Sequence, residues 1–89
     1  MSDLVVMDFF AEWCSPCKMM NPILEKMKQT YPDVEFKKVN IDKEGTMGFD
    51  IQSVPHFVFQ HKGKKVYEHK GVIPPAKFGS LVEQYKESM

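Results

Sequence analysis

The chain has 89 residues, 43% of them hydrophobic and 12% aromatic, which suits one small globular domain and argues against disorder. Twelve basic residues, all of them lysine, balance twelve acidic ones, so the formal net charge is zero. That balance argues against nucleic-acid and membrane-surface binding, which need a basic excess, and the lack of arginine removes the bidentate phosphate clamp. No apolar run reaches the roughly 18 residues of a membrane span, and Met1-Ser2-Asp3 has no basic secretory start. The expected compartment is the cytosol, where thiols stay reduced. Two cysteines two residues apart in that setting point to redox chemistry or metal binding, not to a structural staple.

No linker, repeat or low-complexity tract interrupts residues 1–89, which read as a single domain. Leu4 to Phe10 is a short, continuously apolar run of β-formers and reads as a central strand buried on both faces. Ser15 to Tyr31 places Cys17, Met20, Ile23, Leu24, Met27 and Tyr31 at helical spacing, and Pro22 within it predicts a kink. Pro32-Asp33 ends that helix. Val34 to Ile41 reads as a second strand, although its alternation slips at Lys37-Lys38, and closes a right-handed βαβ unit. Lys43 to Gln52 carries Gly45 and Gly48 and is at best a short helix. Phe57-Val58-Phe59 begins a third strand, Lys62-Gly63-Lys64 a hairpin turn, and Val66 to His69 a fourth strand. Pro74-Pro75 suits the first turn of a last helix, with Phe78, Leu81, Val82 and Tyr85 along one stripe. The order βαβαββα predicts a four-stranded mixed α/β sheet, two strands parallel and two in an antiparallel hairpin, flanked by helices.

The chemistry concentrates in Trp13-Cys14-Ser15-Pro16-Cys17, where a strand hands over to a helix. A helix N-terminus offers unpaired N–H groups and partial positive charge, and both favour a thiolate. Lowering a cysteine pKa from ~8.5 to ~7 takes about 2 kcal/mol, most of which a favourable helix end can supply. Cys14 is then the exposed attacking thiol, and Cys17, one turn on and facing inward, the resolving one. Pro16 stiffens the loop and suits the first helical turn. The alternatives are an inert buried pair or half of a zinc site, with His56, His61 and His69 at hand but not at ligand spacing. Haem attachment fails because Lys18 follows Cys17. Asp8, a carboxylate inside an apolar strand, is either a hydrogen-bonded core group or an acid whose burial raises its pKa for proton transfer.

The run from Asp8 to Met19 closely resembles the active-site stretch of the thioredoxin family, and Pro22 falls at that family's kinking proline. Lys38-Val39-Asn40-Ile41-Asp42, Val54-Pro55, Lys62-Gly63 and Gly71 resemble further thioredoxin features in the same order, so the likeness runs over essentially the whole chain. The resemblance implies a protein-disulfide reductase with a redox-active Cys14–Cys17 pair, in which Asp8 takes the Cys17 proton and Lys38 pairs with Asp8. It further implies that Trp13, Ser15, Pro16, Val54, a cis Pro55 and Gly71 form the surface for a substrate's extended cysteine segment. No bound cofactor or metal is expected. Disulfide-containing proteins are the implied substrates, with electrons from a thioredoxin-reductase-like donor or a small thiol, and the chain is expected to act as a monomer.

Three departures from the family pattern stand out. Residues 1–89 open on the central strand, without the family's usual first strand and helix, so they are expected to resemble the short form seen in small archaeal redoxins and glutaredoxins, with one sheet edge open. Ser15 stands where glycine is usual, and His56 follows the proline where threonine is common, reading as an ordinary exposed strand histidine. Glutaredoxin-like or isomerase activity, and a thioredoxin-fold scaffold with incidental thiols, are the rival functions. Trp13 favours thioredoxin over glutaredoxin.

Overall fold

The apolar run Leu4–Phe10 forms β1 at the heart of the sheet in the computed structural model, which describes residues 3–86. The Met1-Ser2 start lies outside the described residues. On one side β1 pairs in parallel with β2 (Glu35–Asn40), and on the other antiparallel with β3 (His56–His61). β3 continues through the Lys62-Gly63 turn into antiparallel β4 (Lys64–Lys70), giving the order β2-β1-β3-β4. Both Lys62 and Gly63 have positive φ, at 54° and 82°, as a tight two-residue hairpin turn requires.

Three helices complete the order: α1 (Ser15–Thr30), α2 (Ile41–Glu44) and α3 (Pro75–Lys86). Alternation along the strands sorts side chains onto two faces. Leu4 and Val6 of β1 and Phe57 and Phe59 of β3 face Met20, Leu24 and Met27 of α1 and Phe78, Leu81 and Val82 of α3. Full burial of each of these is worth about 1.5–3 kcal/mol, so this layer carries most of the fold's apolar stabilisation. Tyr31, just past α1, donates its hydroxyl to Glu83 at 3.0 Å and so ties the two long helices together. The opposite face holds Met7, Phe9, Val39 and Val58, with Ile41, Phe49 and Ile51 from α2 and the segment after it packed against them.

The short helix sits earlier than Lys43 to Gln52. Asn40 caps it by accepting the Asp42 N–H at 3.0 Å, and Gly45, at φ 72°, ends it after one turn. The slip at Lys37-Lys38 also has a cause: β2 is an edge strand, and both lysines reach solvent. Helix α1 runs unbroken across Pro22, which removes one N–H from the helical ladder.

Candidate active site

Cys14 is the N-cap of α1, with extended backbone (φ −95°, ψ 106°), and Cys17 lies in the first turn with Ser15 and Pro16 between them. The two sulfurs are joined in a disulfide. The backbone N–H of Cys17 donates to Sγ of Cys14 at 3.1 Å, so one of the helix's unpaired N-terminal donors is spent on sulfur. The first turn holds no acidic residue that would oppose negative charge there. Cys14 is 4% exposed and Cys17 3%, so in the disulfide form the expected contrast between an open and a buried sulfur is absent. Cys14 and Cys17 form a small apolar cluster with Ala11, flanked by Phe10, Ile41 and Val54.

Asp8, in the middle of β1, is wholly buried, and among the described residues neither carboxylate oxygen has a hydrogen-bond partner. Loss of solvation raises its pKa from 3.8 to about 6, against a smaller lowering from the positive charge of Lys38. Lys38 stands opposite Asp8 in the β1–β2 register but forms no ion pair with it among the described residues. Its ammonium donates instead to Oδ1 of Asn21 at 2.8 Å and lies 4.6 Å from the centre of the Phe10 ring. Lys38, Asn21, Phe10 and Cys17 line a cavity of about 260 Å³. The pairing of Lys38 with Asp8 implied by the resemblance is therefore electrostatic only. The exposed end of the lysine chain finds a neutral amide and an aromatic face without entering the apolar layer.

The remaining residues implied by the resemblance lie next to the cysteines in the chain or on and beside the cis-proline loop. Trp13 is 69% exposed and donates Nε1–H to Asp42 at 2.9 Å, which fixes the indole beside the cysteines. The Val54–Pro55 peptide is cis, Val54 packs against the cysteine cluster, and the Pro55 carbonyl accepts the Gly71 N–H at 2.8 Å. Gly71 has φ 91°, a conformation other residues rarely adopt. Ser15 and Pro16 are exposed on the same helix start.

His56 departs from the sequence reading. It is 1% exposed, with its ring edge-on to Phe9 and Nε2 3.0 Å from Oε2 of Glu68. Its position opposite Phe9 in the β1–β3 register turns it into the core layer. Sequence reasoning also missed Asn21 and Asp42. Asn21 had a signal, since four residues after Cys17 places it one turn along the same face of α1. Asp42 reaches Trp13 from 29 residues away, and no local pattern announces that.

A closed Cys-x-x-Cys pair at a helix N-terminus, packed against the residue before a cis proline, with a buried carboxylate on the preceding strand, invites comparison with known redox proteins. The thioredoxin family profile matches residues 1–84. This chain belongs to the thioredoxin family. Thioredoxin-2 of Saccharomyces cerevisiae is 40% identical over 75 residues, covering 82% of this chain and 72% of that protein. The thioredoxin of Mycoplasmoides gallisepticum is 36% identical over 81 residues, covering 89% and 81%. Among solved structures, a variant thioredoxin from Halobacterium salinarum NRC-1 matches with a TM-score of 0.90 at 29% identity, over 99% of this chain and 79% of that one.

Like other thioredoxins, the protein is a thiol–disulfide oxidoreductase that reduces protein disulfides through its cysteine pair, without a bound cofactor. Family membership implies disulfide-bearing substrates and a reductase that restores the dithiol. It does not favour the glutaredoxin-like, isomerase or scaffold readings. Among the described residues, no three His, Cys, Asp or Glu side chains come together as a metal site. No helix among them is long and apolar enough to cross a membrane.

Proposed function

We propose that Cys14 is the attacking thiolate, Cys17 the resolving thiol and Asp8 the acceptor of the Cys17 proton. The observation that carries this assignment is the 3.1 Å hydrogen bond from the Cys17 N–H to Cys14 Sγ at the start of a 16-residue helix. When the disulfide is open, the same donor and the helix end stabilise negative charge on Cys14. The Cys14 thiolate attacks one sulfur of the substrate disulfide, forming a mixed disulfide and expelling the other sulfur as a thiolate that takes a proton from solvent. Cys17 then gives its proton to Asp8 and attacks Cys14 Sγ. The Cys14–Cys17 bond closes and the second substrate sulfur leaves, so two electrons pass from the dithiol to the substrate. The unpartnered, buried Asp8 carboxylate, with a pKa near that of a neutral-pH base, suits proton transfer better than a structural role does.

Trp13, Ser15, Pro16, the Val54-Pro55 backbone and Gly71 form the substrate platform, and Lys38 adjusts the field at Asp8. The 89 residues act as one domain, monomeric and cytosolic, reduced by a thioredoxin-reductase-like donor or a small thiol, with no nucleic-acid or membrane partner. The balanced charge of the chain supports the last of these. Replacement of Cys17 by serine tests the cysteine roles: a protein disulfide should be trapped as a stable adduct on Cys14. An adduct on Cys17 in the Cys14→Ser variant, with none on Cys14 in Cys17→Ser, would reverse the assignment.

A further inference from the structure

Lys38 and Asp8 face each other across two neighbouring strands, yet the ammonium is held elsewhere and the carboxylate is left bare. We propose that Asn21 is a positioning residue that, with the Phe10 ring, anchors the Lys38 ammonium at the cavity beside Cys17 and so keeps it from closing onto Asp8. The proposal rests on the proton-transfer reading of Asp8 for its catalytic consequence, though not for its structural content.

Three observations converge on it. First, the Asn21 contact is specific: a 2.8 Å hydrogen bond from a cation to a neutral amide oxygen, reached across 17 residues from helix to edge strand. Second, Asn21 follows Cys17 by four residues, so the anchor and the resolving thiol line the same cavity of about 260 Å³. Third, among the described residues Lys38 is the cation that the strand register sets opposite Asp8 and whose charge acts on its carboxyl. β2 brings Lys38 opposite the carboxylate, and α1 sets Cys17 and Lys18, with Glu12 before it, at the wall of the cavity that Lys38 lines. β3 contributes Phe57, and α3 stacks Phe78 on Phe57. A Lys38 released from Asn21 is therefore the positive charge set to move closer to Asp8, since Lys18, the other cation at this cavity, lies outside the β1–β2 register that faces the carboxylate. An approaching cation favours the ionised carboxylate, and Asp8 would then lose its proton at lower pH and become a weaker base for Cys17. The observed state, in which burial outweighs the attraction of Lys38, is the one the anchor preserves.

The test uses the disulfide form, in which neither cysteine titrates, and follows the Asp8 carboxyl by carbon NMR. Asn21 is exposed on a helix, where alanine is a better helix former, so Asn21→Ala leaves the fold intact. The expected result is a fall in the Asp8 titration midpoint of about half a unit or more in Asn21→Ala. In a Lys38→Gln background the same substitution should shift nothing. An unchanged midpoint in Asn21→Ala, or an equal shift with and without Lys38, would overturn the anchor. A separate failure is readable: if Asp8→Asn resolves mixed disulfides at the wild-type rate across neutral pH, the base assignment falls while the Asn21 shift stands.

Discussion

His56 Nε2 lies 3.0 Å from Glu68 Oε2 across the β3–β4 hairpin, the imidazole wholly buried and the carboxylate at the sheet's rim. The carboxylate also accepts from Lys65 at 3.1 Å. The residue after the cis proline is thus pinned from both sides: by Phe9 beneath it and by a charged pair on β4. His56→Ala should therefore cost about 2–4 kcal/mol in urea unfolding, the range for emptying a large buried site, against the few tenths expected of an exposed strand histidine. The bond to His56, followed by that to Lys65, lowers the Glu68 pKa below its ordinary 4.5. Its stabilising contribution is complete above 4.5 and fades as pH falls through the lower, folded value, so Glu68→Gln should flatten the acid limb of the stability profile.

Asp8 has the opposite sign. Burial raises its pKa from 3.8 to about 6, so between those values the unfolded chain releases a proton that the folded chain keeps. Stability consequently falls as pH rises through that window, by a total on the order of 3 kcal/mol. Asp8→Asn, similar in shape and never charged, should stabilise the oxidised protein by about 2–3 kcal/mol at pH 7.5 and by almost nothing at pH 4. Urea midpoints at the two pH values decide the matter, and an equal gain at both would show that charge burial is not the cause.

Trp13 offers a large exposed indole whose only polar atom is committed to Asp42. Removing it exposes little core, so Trp13→Ala should change stability by less than about 1 kcal/mol. If the indole is part of the substrate platform, kcat/KM toward a protein disulfide should drop about tenfold, the effect of losing one interface anchor. Turnover of a small-molecule disulfide should hardly change. Equal losses on both substrates would place Trp13 in the chemistry of the sulfurs and not in recognition.

Much of this architecture was legible in the sequence because it depends on local pattern. The unbroken apolar run of Leu4–Phe10 marked a strand covered on both faces, and the spacing of Met20, Leu24 and Met27 marked the buried stripe of α1. The helix start at Cys14 followed from proline in the first turn. What pattern did not reveal is what depends on partners distant in the chain. The burial of His56 follows from its place at the start of β3, an inner strand covered on both faces, with Phe57 and Phe59 buried on one and Val58 on the other. The lysine of the implied Asp8–Lys38 pair was diverted by Asn21, a contact that appears only once α1 is laid on β2. The short helix came early because the Asn40 side chain caps it, a signal present in the sequence but weaker than the glycines beyond.

The claim on which the mechanism turns is that the start of α1 makes Cys14 acidic. It is tested most directly by the pH dependence of Cys14 alkylation with iodoacetamide in the fully reduced protein, with modification at Cys14 confirmed by mass spectrometry. The account predicts a midpoint near 7, as for a cysteine held by a helix N-terminus and a backbone N–H. A midpoint at or above about 8.5, the value of a free cysteine, would contradict it.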